Sequence, residues 1–182
     1  MPTALVILAN GFEDIEAMTI IDILRRGDID VTVAGLESLS ITSAHNTIIS
    51  VTETLADNHD EIFDTVILPG GEPGTTHLEN SREVETVIKN HHVQGKLIAA
   101  ICAAPRVLDK IGVIAGKRAT SYPAFKEAMT SCNYSEEAVV VDDNLITSRG
   151  PATAHQFAFA ILENLNSITK VNELKEAMLY NA

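Results

Sequence analysis

Short continuous apolar runs alternate along this chain with segments whose apolar residues recur every three to four positions. Ala4–Ala9 is the first run. It is too short for a buried helix and is stopped by Asn10-Gly11, so it reads as a buried strand. Ala17, Ile20, Ile21 and Leu24 then fall at i, i+3, i+4 and i+7, one face of a helix. That helix closes on Arg25-Arg26-Gly27, where basic residues and glycine suit a C-terminus. Ile29–Ala34 reads as a second strand. Strand, helix and strand within about 30 residues form a βαβ unit, which implies a parallel pair covered by a helix.

The alternation continues. A short hairpin is predicted for Ile41–Thr42 and Thr47–Val51 around Asn46. Thr65–Leu68 is another buried strand, closed by Pro69-Gly70-Gly71. Arg82–His91 reads as a helix, Lys96–Ile101 as a strand, and Pro105–Ile111 as a helix with proline in its first turn. Ala138–Val141 and Leu145–Ser148 flank Asp142-Asp143-Asn144, a hairpin signal. Phe157, Ile161 and Leu165, with Ala158 and Leu162, give the core face of a long helix, and a second follows at Val171–Met178. No linker, low-complexity tract or repeat interrupts the chain. Residues 1–182 are therefore expected to form a single α/β domain with a mostly parallel central sheet.

Composition removes several function classes. Asp and Glu number 25 against 13 Lys and Arg, a net charge of −12. Nucleic-acid binding needs clustered basic residues, and anionic membrane surfaces attract them too, so neither partner is expected. Trp is absent and aromatics make up 4%, which leaves little for stacking bases. The N-terminus lacks a basic segment ahead of a long apolar core, and no run approaches the roughly 20 residues of a membrane span. Two cysteines 30 positions apart suit neither a disulfide framework nor a four-ligand zinc site. A reducing cytoplasm with free thiols, and no metal or cofactor, is the expectation.

Ligands of open parallel sheets bind beyond the carboxyl ends of the strands. Four loops follow predicted strands: Asn10–Phe12, Pro69–Gly74, Cys102–Ala104 and Arg149–Pro151. Cys102 sits between a strand and a helix, with Ala100 and Ala104 two places to either side. This is the design of a nucleophile elbow, in which small neighbours let a strained turn pack. The helix start beside the sulfur is expected to favour thiolate. By themselves the residues leave open whether Cys102 is reactive or a buried structural thiol. Cys132, outside any such turn, reads as inert. Pro69-Gly70-Gly71-Glu72-Pro73-Gly74 is a glycine-rich turn suited to an oxyanion nest, and matches neither a dinucleotide fingerprint nor a Walker A loop. Glu13, Asp14 and Glu16 begin the first helix, where acids complement the dipole; one of them pointing inward would suffice as a proton donor.

Leu5-Val6-Ile7-Leu8-Ala9 with Gly11 and Glu16, Leu68-Pro69-Gly70-Gly71, Ala99-Ala100-Ile101-Cys102-Ala103-Ala104-Pro105 and Thr147-Ser148-Arg149-Gly150-Pro151 together resemble the DJ-one/ThiJ/PfpI superfamily. The resemblance runs from Ala4 to about Asn166 with the motifs in the same order. It implies a flavodoxin-like three-layer sandwich and a homodimer. It makes Cys102 the reactive cysteine and Glu16 a protonated glutamate on its sulfur, with Gly70, Gly71 and Ala103 as backbone donors. The implied activities are cofactor-free glyoxalase and deglycase chemistry on reactive carbonyls such as methylglyoxal, redox sensing and chaperoning. Tyr122 before Pro123 replaces the histidine of the best-known branch and is similar to the bacterial ThiJ/YajL-like branch. His45 replaces an arginine of the best-known branch near the dimer interface. Residue 103 is Ala rather than His, which disfavours a peptidase triad. His155, at the start of the long helix, is the remaining histidine near a site loop.

Overall fold

The computed structural model describes residues 1–180; positions 181 and 182 of the expected domain lie outside the described residues. The chain begins with β1 (Thr3–Leu8), α1 (Asp14–Arg26) and β2 (Asp30–Gly35), the βαβ unit that the hydrophobic pattern predicts. A small hairpin follows, β3 (Ser40–Thr42) with β4 (Ile48–Ser50), turning through Asn46 at φ +67°. Next come β5 (Glu53–Thr54), β6 (Thr65–Leu68), α2 (Gly74–Asn80), α3 (Arg82–Val93), β7 (Leu97–Ile101) and α4 (Pro105–Ile111). β8 (Arg118–Ala119) and β9 (Asn133–Tyr134) pair in a separate parallel ribbon, with a 3₁₀ turn at Pro123–Ala128 between them. The hairpin β10 (Val139–Asp142) and β11 (Leu145–Ser148) leads to α5 (Ala154–Leu165) and α6 (Ile168–Ala177).

The central sheet has seven strands in the order β10-β11-β7-β6-β1-β2-β5. Every neighbouring pair is parallel except β10 with β11. A parallel sheet is covered on both faces, which is why its inner strands are uniformly apolar rather than alternating. Side chains nevertheless divide by parity. Ala4, Val6, Leu8, Ile67, Ala99 and Ile101 pack under α1, α5 and α6. Leu5, Ile7, Val66, Leu68, Ile98 and Ala100 pack under α3 and α4. This is the expected flavodoxin-like sandwich. On α1, Ala17, Ile20, Ile23 and Leu24 are buried, and each large aliphatic so removed from water contributes about 1.5–3 kcal/mol.

Register sets the site. Val6 lies opposite Ile67, Leu68 opposite Ala100 and Ile101 opposite Ser148, so β1, β6, β7 and β11 end close to level. The loops beyond them, with Gly11, Gly70, Cys102 and Arg149, therefore open on one edge. α2 carries no helical hydrophobic repeat, since Leu78 is its sole large apolar residue. Among the described residues no helix is long and apolar enough to cross a membrane.

Candidate active site

Cys102 leaves β7 at φ +65°, in the left-handed region that a residue with a Cβ rarely adopts. Its backbone is held on both sides: its N–H donates to Ser148 O at 2.9 Å, and its carbonyl accepts from Tyr122 N at 2.8 Å. Ala100 and Ala104 are fully buried, the small flanking residues that such a turn needs. Strain of this kind persists only where the surroundings over-determine it, and it concentrates at functional sites.

Glu16 reaches the same point from the first turn of α1. It is fully buried, and its Oε2 accepts the Gly70 N–H at 2.8 Å. Oε1 is buried with no regular hydrogen-bond partner, which a proton on it, directed at the neighbouring sulfur, would relieve. Burial, abetted by the charge of Glu13, raises the Glu16 carboxyl from its ordinary 4.5 to about 7, against the pull of the Gly70 amide and the contact with Cys102. The cysteine and glutamate meet over a glycine. A Cβ on Gly70 would lie 2.6 Å from Cys102 Cβ and 2.7 Å from Glu16 Oε2.

The expectation that the helix start alone favours thiolate needs correction. Burial is the largest influence on Cys102 and pushes its thiol up; the charge of Glu16 and their hydrogen bond add to this. The N–H groups of Ala103 and Gly71 pull in the opposite direction and are outweighed. One negative charge suits this pocket and two do not, so thiolate belongs to the state in which Glu16 holds the proton.

The expected residues separate into those gathered here and those left elsewhere. Gly70 spends its amide on Glu16, which leaves Gly71 and Ala103 as the amides at the sulfur. Gly71 sits at φ +94°, and a Cβ there would lie 2.3 Å from Glu13 N. Tyr122 is exposed, joined to Cys102 through its backbone N–H, with its ring against Gly150. His155 is exposed and stacks on Tyr180, with ring centroids 5.8 Å apart, rather than facing Cys102. Cys132 is half-buried beside the Met129 carbonyl, and burial, then Asp109, raises its thiol. Ser148 stands in one of the motifs, but its role as the carbonyl that anchors Cys102 has no sequence signal, because a backbone acceptor is independent of the side chain. Among the described residues, Glu13, Asp14 and His45 alone bring three metal-capable side chains within 4.8 Å. His45, the exposed member of this group, has its Nδ1 3.1 Å from Asp14 Oδ2.

A family model described as the DJ-1/PfpI family matches residues 2–164. The chain belongs to the DJ-1/PfpI family. Protein dj-1beta of Drosophila melanogaster is 44% identical over 181 residues, covering 97% of this chain and 96% of that protein. The glutathione-independent glyoxalase DJR-1.2 of Caenorhabditis elegans is 37% identical over 164 residues, 89% of this chain and 87% of that protein. The crystal structure of Drosophila melanogaster DJ-1beta superposes with a TM-score of 0.97 at 42% identity, covering 100% of this chain and 99% of that one. These relatives are eukaryotic, and they lend no specific support to the bacterial ThiJ/YajL-like placement that Tyr122 suggested.

Proposed function

We propose that this DJ-1/PfpI protein is a cysteine-dependent, cofactor-free glyoxalase and deglycase acting on methylglyoxal, glyoxal and their adducts. The observation that carries the reading is a buried carboxyl poised at about 7 against a cysteine in a strained elbow. A general acid–base works best when its pKa lies near the working pH, and this pairing supplies both a nucleophile and a proton shuttle. The nematode relative named as a glutathione-independent glyoxalase supports the same chemistry.

The steps follow from the pocket. With its proton on Glu16, the pair presents Cys102 as thiolate, which adds to the aldehyde carbon of methylglyoxal. Glu16 protonates the new alkoxide, and the amides of Gly71 and Ala103 stabilise the charge as it develops; losing one such donor typically costs about 3–4 kcal/mol. The carboxylate of Glu16 then takes the hydrogen of that carbon as a proton and returns it to the adjacent carbon, while the hydroxyl proton passes to the oxygen of that adjacent carbon. The result is a thioester of lactate on Cys102. One water cleaves it, releasing lactate and restoring the cysteine, with no net oxidation. The same thiolate, exposed to peroxide, would advance to sulfinate, which gives the oxidative-stress role; a redox-sensing chaperone with minor catalysis is the second reading. A homodimer is part of the proposal, and exposed Ile15 and Met18 on α1 with Ile48 on β4 offer it apolar surface.

Lactate release and deglycation are measured for Cys102→Ser and Glu16→Gln. Both variants are expected to lose activity at least about a hundredfold, in line with positioned acid–base catalysis. Undiminished activity in both would overturn the reading.

A further inference from the structure

We infer that Arg106 is a positioning residue for this site, tying three of its walls together through one buried guanidinium. Arg106 lies on α4, four residues beyond Cys102, and its side chain is 10% exposed. Nη1 pairs with Glu72 Oε1, and Nη2 donates to Thr76 Oγ1 at 2.9 Å. Nε reaches Glu79 Oε2 at 3.4 Å. The face of the guanidinium lies over the Phe125 ring, 4.6 Å from its centroid. Glu72 directly follows Gly71, whose amide approaches the sulfur. Phe125 belongs to the 3₁₀ turn that directly follows Tyr122, and its N–H donates to Tyr122 O at 2.9 Å.

One planar cation thus spans the nucleophile helix, the donor loop and the aromatic wall. Only a guanidinium has the forked donors and the flat face to serve carboxylate, hydroxyl and ring at once. An ammonium supplies equal charge but not this geometry. Without the fork, Glu72 and Glu79 lose their shared cation, and the loop that carries Gly71 loses its tie to α4 and the aromatic wall, keeping only the Thr76 hydroxyl on Glu72 and its backbone bonds to Glu13 and Thr75. The amide of Gly71 then withdraws from the sulfur, and the thiolate loses a hydrogen bond that favours it.

The inference rests on the proposed role of Cys102 but has an assay of its own. Alkylation of Cys102 by iodoacetamide is followed by mass spectrometry against pH for the parent, Arg106→Gln, Arg106→Lys and Glu72→Ala, with circular dichroism confirming the fold. Each variant is expected to react about tenfold more slowly at pH 7, its profile displaced upward by about one pH unit. A parental profile in the folded Arg106 variants, or full rescue by Lys, overturns the inference. Should the Arg106 variants fail to fold, Glu72→Ala decides, because its side chain is 40% exposed and replaceable. Displaced profiles beside a parent that releases no lactate refute the proposed function and leave the positioning role. Lactate release by the parent beside undisplaced profiles does the reverse.

Discussion

Replacing Glu16 by Gln tests the central claim, that this carboxyl keeps its proton near neutrality because it is buried. In the unfolded chain the group titrates at its ordinary 4.5, and in the fold at about 7. The folded protein therefore holds a proton that the unfolded chain has released throughout that interval. Stability from the protonated group is fully present below pH 4.5, falls as pH rises, and has gone once pH passes about 7. At about 1.4 kcal/mol for each tenfold change, the loss amounts to about 3 kcal/mol. No discount for solvent screening applies, since Glu16 is fully buried. Gln imitates the protonated acid: its carbonyl can accept the Gly70 N–H, its amide can donate towards the sulfur, and it does not titrate. Urea denaturation of parent and Glu16→Gln between pH 4.5 and 8 measures the difference, ending below the ordinary thiol range of about 8.5. The variant's stability relative to the parent is expected to rise by about 3 kcal/mol across that window and to level off above neutrality. A difference that stays flat from acid to pH 8 would refute the assignment of a raised carboxyl pKa.

Three further outcomes are expected. Gly70→Ala places a methyl group 2.6 Å from Cys102 Cβ and 2.7 Å from Glu16 Oε2; overpacking of this kind costs about 1–3 kcal/mol, and thermal midpoint together with Cys102 alkylation should both fall. His91 is buried between the Phe63 N–H on Nε2 at 3.1 Å and the Val87 carbonyl on Nδ1 at 2.7 Å, and burial holds its pKa below 6.5. The unfolded chain therefore takes up a proton just below pH 6.5 that the fold refuses, so stability falls as pH falls there; His91→Gln should abolish up to about one proton of uptake on unfolding, measured from the slope of stability against pH. Mild peroxide should add about 32 Da at Cys102 before Cys132 is touched, and equal modification of both thiols in intact-mass analysis would remove the redox-sensing reading.

The parts of the fold that could be read in advance are those whose signal lies within one segment. The apolar run Ala4–Ala9 became β1 with a shift of one residue, and the spacing Ala17, Ile20, Ile21, Leu24 became the buried face of α1. Pro105–Ile111 became α4 with the same limits, because proline starts it and Gly112 at φ +88° ends it. α2 escaped notice because its seven residues hold one large apolar side chain. The two-residue strands β5, β8 and β9 escaped because so short a segment has no period to detect.

Sequence by itself determined the strand order of chemistry: a cysteine at a strand–turn–helix junction, a glycine-rich loop and an acidic helix start, each at the end of a buried run. It also determined twelve surplus negative charges, from which no polyanion partner is expected. Tertiary structure decided what those groups do to each other. Parallel register brings Glu16 and Cys102, 86 positions apart, over Gly70, and so turns an ordinary surface acid into a buried one whose proton is held to about 7. It gave the Gly70 amide to Glu16, sent His155 to Tyr180, and folded Arg106 into the frame of the site. Desolvation and hydrogen bonding depend on what surrounds a group on every side. Local patterning describes only what precedes and follows it along the chain.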